Sequence, residues 1–136
     1  MIVISNQAAV GKGLLDPATL QEITAKMREA LLADGTPIEA AYYCIHRADE
    51  NCVCRKPKPA LLQTAADDFN IDLSRSIFIG DSDTDVQAAR AVGCASVLFG
   101  PDIGPLPASP TDLLIARGAA NLYPLVAKYL QATELA

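Results

Sequence analysis

Residues 76–86 read SIFIGDSDTDV, a short apolar run that ends in a glycine and is followed by three aspartates within five residues. The run from Ser76 to Ile79 has the length of a buried strand, and the polar residues after it indicate a loop at the end of that strand. A helix is expected over roughly 86–92, because Gly93 would end it. A strand, an acidic loop and a helix in this order form one unit of an α/β protein.

The same alternation of apolar runs and helical patterns continues on both sides of this segment. Further strands are expected over Ile2–Ile4, Ile38–Tyr43, Ala95–Phe99 and Leu113–Ile115. Further helices are expected between Asp16-Pro17 and Gly35, over 61–69 and over 121–130, with a proline-rich surface loop at 100–112. Strands that alternate with helices predict right-handed βαβ units and a mostly parallel sheet with helices on both faces.

The composition excludes several classes of function. The chain has 136 residues, 51% of them hydrophobic, and we expect 1–136 to form a single globular domain. Eleven basic and 16 acidic side chains give a net charge of -5, which argues against a general nucleic-acid binder because such binding depends on clustered Lys and Arg. The sequence has no apolar run of about 18 residues and no signal-peptide pattern, so we expect no membrane span and a cytoplasmic location.

Four soft metal ligands lie close together in the sequence, at Cys44, His46, Cys52 and Cys54. Within each pair one residue separates the ligands, so on an extended segment both side chains point the same way. Three thiolates and one imidazole match a tetrahedral zinc site, and the alternative is a set of unrelated buried cysteines with a surface histidine. Because all four positions would be filled, a zinc site in this loop, residues 44–54, is expected to be structural.

A basic run, Arg55-Lys56-Pro57-Lys58-Pro59, follows the last of these ligands in an otherwise acidic chain. Its two prolines stiffen it, and a zinc ion at its start would fix it in place. It could therefore hold cations rigidly against a phosphate, whereas a solvated basic loop is the alternative.

Two polar groups follow predicted strands, and ligands of parallel sheets bind beyond the carboxyl ends of strands. The acidic loop 80–85 suits magnesium, with Asp81 as the best ligand candidate. The alternative is that its acids cap the next helix, with Asp83 or Thr84 as the N-cap. Ser5-Asn6, after the first strand, could hydrogen-bond a phosphoryl oxygen, although such residues are also common where a strand meets a loop.

Three motifs together resemble the haloacid dehalogenase (HAD) superfamily of phosphatases: SNQ at 5–7, CxH…CxCRKPKP at 44–59 and GDSDTD at 80–85. Within it they look like the branch of heptose-bisphosphate and histidinol phosphatases, over nearly the whole chain. The resemblance implies a Rossmann-like three-layer sandwich with an inserted zinc loop. It also implies a magnesium-dependent hydrolase of a small phosphorylated metabolite, in carbohydrate metabolism or histidine biosynthesis.

The resemblance assigns roles to particular residues. Ser5 would be the phosphate-binding hydroxyl, and Asn6 beside it would contact the substrate. Lys56 would bind the phosphoryl group, and Arg55 would be a further substrate contact.

The resemblance also assigns the metal ligands. Asp81 would bind magnesium, supported by Asp85 or Asp83, and the four ligands of the loop 44–54 would bind zinc. Cys94 has no counterpart role and is expected to be a small core residue.

The family's first motif, an Asp-x-Asp at the end of the first strand, has no counterpart ahead of Ser5. This motif supplies the nucleophile, so the remaining residues alone could bind magnesium and phosphate without covalent catalysis. Its strand lies in the middle of the family's sheet, and without it the strands Ile2–Ile4 and Ser76–Ile79 would each lack a neighbour.

Three explanations are open for this missing motif. The natural protein is longer, a separate chain or self-association provides the strand, or the two strands pair directly in a reduced sheet. Two functions follow: a phosphatase represented by a chain that lacks its nucleophile segment, or a catalytically inactive zinc-containing binding or scaffold protein.

Overall fold

The structure, a computed structural model, describes residues 1–100, 113–116 and 119–134. Parallel strands and helices alternate along these residues, as the sequence predicts. The strands are β1 (Ile2–Asn6), β2 (Ala40–Cys44), β3 (Ile77–Gly80), β4 (Ala95–Phe99) and β5 (Leu113–Ala116). The helices are α1 (Ala8–Gly11), α2 (Pro17–Ala33), α3 (Ala60–Phe69), α4 (Asp83–Ala91) and α5 (Ala119–Glu134), and single 3-10 turns occur at Ala48–Glu50 and Leu73–Arg75.

Most predicted elements are confirmed, with shifted ends. The short helix α1 has no sequence prediction, because four residues are too few to show helical periodicity. The predicted loop 100–112 lies, apart from Gly100, outside the described residues. In the part of the chain that the structure describes, no helix is long and apolar enough to cross a membrane.

The start of α4 corrects the sequence prediction. The helix begins at Asp83 rather than near 86, and its N-cap is Ser82, not Asp83 or Thr84. The Ser82 side chain accepts a hydrogen bond from the Asp85 backbone, while the Asp85 side chain accepts one from the Ser82 backbone. This reciprocal capping box satisfies two donors of the first helical turn and fixes where the helix starts.

Two neighbouring tyrosines of β2 show that helices lie on both faces of this strand. The Tyr42 hydroxyl donates to Asp68 of α3 at 2.6 Å, and the Tyr43 hydroxyl lies 2.8 Å from Thr24 Oγ1 of α2. Successive side chains of a strand point to opposite faces, so α2 and α3 lie on opposite sides of β2. The three-layer α/β arrangement is therefore confirmed.

The strands form two separate parallel sheets rather than one. β1 pairs with β2, from Ile2 opposite Ala40 to Asn6 opposite Cys44. β4 lies between β3 and β5, which both pair with it in parallel. Among the described strands β1 and β3 do not pair with each other, so direct pairing in a reduced sheet is wrong.

A cavity of about 200 Å³ lies beside the unpaired edges of β1 and β3. Its lining is largely apolar and includes Ile2 and Ile4 from β1, Ile77 and Phe78 from β3, and Leu62 of α3. We call this space the strand slot.

Candidate active site and metal cluster

Four predicted ligands meet where β2 ends. The ligand atoms of Cys44, His46, Cys52 and Cys54 all lie within 4.8 Å of one another. Cys54 Sγ lies 3.1 Å from Cys44 Sγ and 3.2 Å from His46 Nδ1, and Cys52 Sγ lies 3.5 Å from Cys44 Sγ. Cys44 is fully buried at the end of its strand, and none of the four cysteines of the chain is in a disulfide.

The spacing of these atoms fits a tetrahedral zinc ion. With zinc about 2.3 Å from sulfur and about 2.0–2.1 Å from nitrogen, tetrahedral ligand atoms lie about 3.5–3.8 Å from one another. The ligand atoms of the cluster are therefore gathered to nearly the separations that the ion needs. We call these four residues the metal cluster.

The acidities of two thiols show the effect of this crowding. Burial, together with contacts to Cys44 and Cys52, raises the pKa of Cys54 to about 12. Burial also acts to raise the pKa of Cys52, but hydrogen bonds from Cys44 and from backbone groups outweigh it and lower that pKa to about 7. Sulfurs this close cannot all become thiolates without a neighbouring cation, and a divalent metal supplies one.

The loop after the metal cluster is fastened to β1 through Asn6. The Asn6 side-chain oxygen accepts from the Lys56 backbone N–H at 3.1 Å, and the Asn6 side-chain amide donates to the Lys56 carbonyl at 3.2 Å. These two hydrogen bonds join residues that are 50 positions apart and place Lys56 beside the end of β1. In the structure the Asn6 amide group thus positions Lys56.

Lys56 bridges the two sheets. Its ammonium group donates to the Ile4 carbonyl of β1 at 3.2 Å and forms an ion pair with Asp85 of α4. It also lies 5.6 Å from the ring centroid of Phe78 on β3. The side chains of Lys56 and Asp85 are only 11% and 6% exposed, so the pair is shielded from water, which strengthens its electrostatic attraction.

Asp85 is held from the opposite side by the acidic loop. Its Oδ2 accepts from the backbone N–H groups of Asp81 and Ser82, both at 3.1 Å, and from the Ser82 hydroxyl at 2.8 Å. Gly80 makes this approach possible, because a Cβ there would lie 2.3 Å from Asp85 Oδ2. Both oxygens of Asp85 are therefore already occupied by donors of the protein.

The remaining predicted residues lie around this centre. Asp81 follows β3 and is exposed, and its carboxylate makes no hydrogen bond or ion pair within the described residues. Ser5 Oγ accepts from the Gln7 side-chain amide at 3.0 Å. Arg55 Nη1 reaches the His46 carbonyl at 3.5 Å, and thus lies against the metal cluster.

Sequence reasoning missed three supporting residues. Gln7 contacts Ser5, Gly80 admits Asp85, and the Lys58 ammonium group donates to the carbonyl of Cys52 in the metal cluster. Only the capping role of Asp85 had a visible signal, since Ser82-x-x-Asp85 is a capping-box pattern.

Comparisons with known proteins agree with this arrangement. The model of the HAD-hydrolase-like family matches residues 53–104. The D-glycero-beta-D-manno-heptose-1,7-bisphosphate 7-phosphatase of Pseudomonas aeruginosa is 41% identical over 96 residues, covering 71% of this chain and 54% of that protein. The chain spans about half the length of the curated relatives that it matches.

Solved structures show the same likeness. The crystal structure of D,D-heptose 1,7-bisphosphate phosphatase from B. bronchiseptica, complexed with magnesium and phosphate, is 30% identical with a TM-score of 0.80. The match covers 93% of this chain and 73% of that one. A HAD-like phosphatase from Mesorhizobium loti, 24% identical with a TM-score of 0.77 and covering 96% of this chain and 65% of that one, shares the fold.

This protein has a parallel α/β fold in which a lysine and an acidic loop meet beyond the strand ends. Together with the similarity to heptose-bisphosphate phosphatases, this places it in the class of HAD phosphatases. Within that superfamily the chain belongs to the branch of the heptose-1,7-bisphosphate phosphatases.

Proposed function

We propose that this chain forms the phosphoryl- and magnesium-binding part of the active site of a phosphatase. The reaction is the magnesium-dependent hydrolysis of a phosphate monoester of the heptose 1,7-bisphosphate or histidinol-phosphate type. The observation that carries the proposal is the contact of Lys56 with Asp85 beyond the ends of β1 and β3, beside Asp81. An ammonium group and a magnesium ion held by a carboxylate at one point would together neutralise the charge of a phosphoryl group.

The contacts of each residue support a distinct role. Asp81 is the magnesium ligand, because its exposed carboxylate is not used by the described residues. Asp85 supports it indirectly, by accepting from the Asp81 backbone N–H. Lys56 neutralises the phosphoryl group, while Asn6 fixes the Lys56 backbone.

Ser5 and Arg55 are proposed as substrate contacts. Gln7 donates to the Ser5 oxygen, which leaves the hydroxyl proton of Ser5 to donate to a phosphoryl oxygen. Arg55 comes directly before Lys56 in the loop, so a guanidinium group follows the metal cluster at the edge of the site. The names of the relatives favour a heptose bisphosphate over histidinol phosphate as the substrate.

The nucleophile has to come from a strand outside these residues, and the strand slot is its proposed place. Backbone groups of successive strand residues point alternately to the two sides of a strand. The Ile4 carbonyl, which accepts from Lys56, therefore belongs to the edge of β1 that turns away from β2. A parallel strand in the slot would satisfy the free edges of β1 and β3, whether it comes from a longer form of this chain or from a separate chain.

The first test is to read the DNA upstream of Met1 for an in-frame strand that ends in Asp-x-Asp. If it is present, we expect the extended protein to hydrolyse heptose 1,7-bisphosphate only with magnesium. Asp81→Ala should abolish turnover, and Asp67→Ala, which removes an exposed carboxylate of α3, should not.

The second candidate is a catalytically inactive binding protein that keeps the phosphoryl-binding contacts of Lys56 and Asn6. It predicts that even the extended protein binds phosphate esters with magnesium but releases no phosphate. Turnover that persists in Asp81→Ala would contradict the proposal that Asp81 holds the magnesium ion of the phosphatase.

A further inference from the structure

Lys58 makes three contacts that the proposed phosphatase does not use. Its ammonium group donates to the Cys52 carbonyl at 2.6 Å, to Asn51 Oδ1 at 3.1 Å and to the Asn51 carbonyl at 3.4 Å. Asn51 itself has a positive φ of 47°, a left-handed conformation that Asn tolerates better than most residues. The three oxygens therefore lie at a sharp turn of the chain, and Lys58 closes over that turn.

These contacts join the two ends of a short loop. Residues 52–58 begin at a ligand of the metal cluster, pass through a second ligand, Cys54, and continue through Lys56. A second hydrogen bond, from the Lys58 backbone N–H to the Arg55 carbonyl at 3.0 Å, tightens the end of the same loop. Cys52 and Cys54 thus lie within the loop that Lys58 closes.

We infer that Lys58 is a positioning residue for the metal cluster, which holds the Asn51–Cys52 turn in the conformation that presents both thiols of this arm to the metal. The inference rests on the proposed zinc ligands but not on phosphatase activity. Groups that orient metal ligands without touching the metal typically change metal affinity by about 10- to 100-fold. Because Lys58 is exposed, we expect the lower end of this range.

Charge favours the same role. Three thiolates, a neutral imidazole and Zn²⁺ carry a single net negative charge, and a nearby ammonium group stabilises it. A cation also donates to the other arm of the metal cluster, where Arg55 reaches the His46 carbonyl. Each arm of the metal cluster therefore has a basic side chain bound to the carbonyl of one of its ligands.

The test is the zinc affinity of the full chain, measured by competition with a chromophoric chelator, for wild type, Lys58→Met, Lys58→Arg and Lys26→Met. Lys26→Met is the matched control, because it removes an exposed ammonium group from α2, away from the metal cluster. We expect Lys58→Met to weaken zinc binding about tenfold. Lys58→Arg should keep most of the affinity, and Lys26→Met should equal wild type.

A second measurement separates positioning from a general structural role. The melting temperature of the zinc-free protein should be the same in wild type and Lys58→Met, because Lys58 acts through the metal ligands. The inference is overturned if Lys58→Met binds zinc as tightly as Lys26→Met, if Lys58→Arg is as weak as Lys58→Met, or if the zinc-free Lys58→Met melts at a lower temperature. If the wild-type chain binds no zinc, both the zinc site and the role of Lys58 are wrong. If the chain binds zinc but has no phosphatase activity, the expected order of zinc affinities among the variants still supports the role of Lys58, and only the proposed function fails.

Discussion

The two sheets of this protein are stabilised in different ways. Around β3 and β4 the core is made of apolar contacts: Val86 and Val97 are 2% and 1% exposed, and Ala88 and Ala89 are fully buried. Around β1 and β2 only Cys44 of the two strands is buried, and Leu20 is the only buried residue of α2. Leu62 and Ala65 of α3, which packs on β1 and β2, are also buried, but the first sheet has the smaller apolar core. We therefore expect it to depend more on polar contacts and on the metal cluster than the second sheet does.

This difference shows how one chain can combine a rigid scaffold with a site that needs assembly. The acidic loop lies between β3 and α4 in the well-packed second half of the fold. Lys56 follows the metal cluster in sequence and is bound to β1 of the first sheet through Asn6 and the Ile4 carbonyl. At the site the Lys56 side chain joins the two sheets, whose strands β1 and β3 do not pair in the part of the chain that the structure describes. Metal removal should therefore affect the first sheet much more than the second.

Zinc removal is expected to have the largest effect. At free zinc about 1,000 times its dissociation constant, the ion stabilises the folded state by about 4 kcal/mol, and a chelator removes this contribution. Amide hydrogen exchange should show faster exchange in β1 and β2 after chelation, while β3 and β4 keep most of their protection. Equal loss of protection in both sheets would show that the second sheet depends on zinc as much as the first.

A matched pair of cysteine variants controls the zinc experiment. Cys52→Ser removes a ligand of the metal cluster and should abolish the response to the chelator. Cys94→Ser removes a buried thiol of the second half, whose pKa burial raises to about 11, and should keep the response. If both variants lose it, zinc binds through a different set of residues.

Lys56→Met breaks the bridge between the sheets and should have the next largest effect. Removing one partner of a buried ion pair leaves the other charge uncompensated, which destabilises a protein by about 3 kcal/mol. Asp85 keeps its hydrogen bonds to the acidic loop, so α4 should stay capped. Urea unfolding should show a lower free energy and a smaller m-value, because the two sheets then unfold less cooperatively. A loss no larger than that of Lys26→Met would mean that the bridge contributes nothing.

A substitution at Gly80 tests the second sheet at its site-facing end. In Gly80→Ala the new Cβ would lie 2.3 Å from Asp85 Oδ2, so we expect overpacking to cost about 2 kcal/mol. Gly100→Ala is the control, since a Cβ there meets nothing within 4 Å.

Zinc affinity should be unchanged in Gly80→Ala but lower in Gly11→Ala, where a Cβ would lie 2.5 Å from the Ile45 carbonyl beside the metal cluster. Thermal unfolding and chelator competition measure the two effects, and equal stability of Gly80→Ala and Gly100→Ala would contradict the packing argument.

Local patterns of the sequence were sufficient to predict the strands, most of the helices and the metal cluster. Apolar runs and helical spacing depend on near neighbours, and the four ligands of the metal cluster lie within one loop. The capping box of α4 is also visible in the sequence, as Ser82-x-x-Asp85, although the alternative interpretation of the acidic loop gives Asp83 or Thr84 as the N-cap.

Contacts between distant residues could not be predicted in this way. The resemblance implies that Asn6 contacts a substrate, and the structure adds a contact that no pattern indicates, in which its amide binds the backbone of Lys56, 50 residues later. Lys58 was treated as part of one basic run, although its ammonium group turns back to the metal loop. Both depend on the tertiary path of the chain, which a pattern of residue types does not specify.

The smallest effect is expected from substitution of Ser82, the N-cap of α4, because this change affects the second sheet alone. Ser82→Ala removes the hydroxyl of the capping box and should lower stability by about 1 kcal/mol, while Ser82→Thr keeps the hydroxyl and should restore most of it. The backbone N–H groups of Asp81 and Ser82 still bind Asp85, so the ion pair with Lys56 should persist. Zinc affinity should therefore remain at the wild-type value while the melting temperature falls. If zinc affinity falls as well, the cap of α4 is coupled to the metal cluster through Asp85 and Lys56, and the two sheets are not energetically independent.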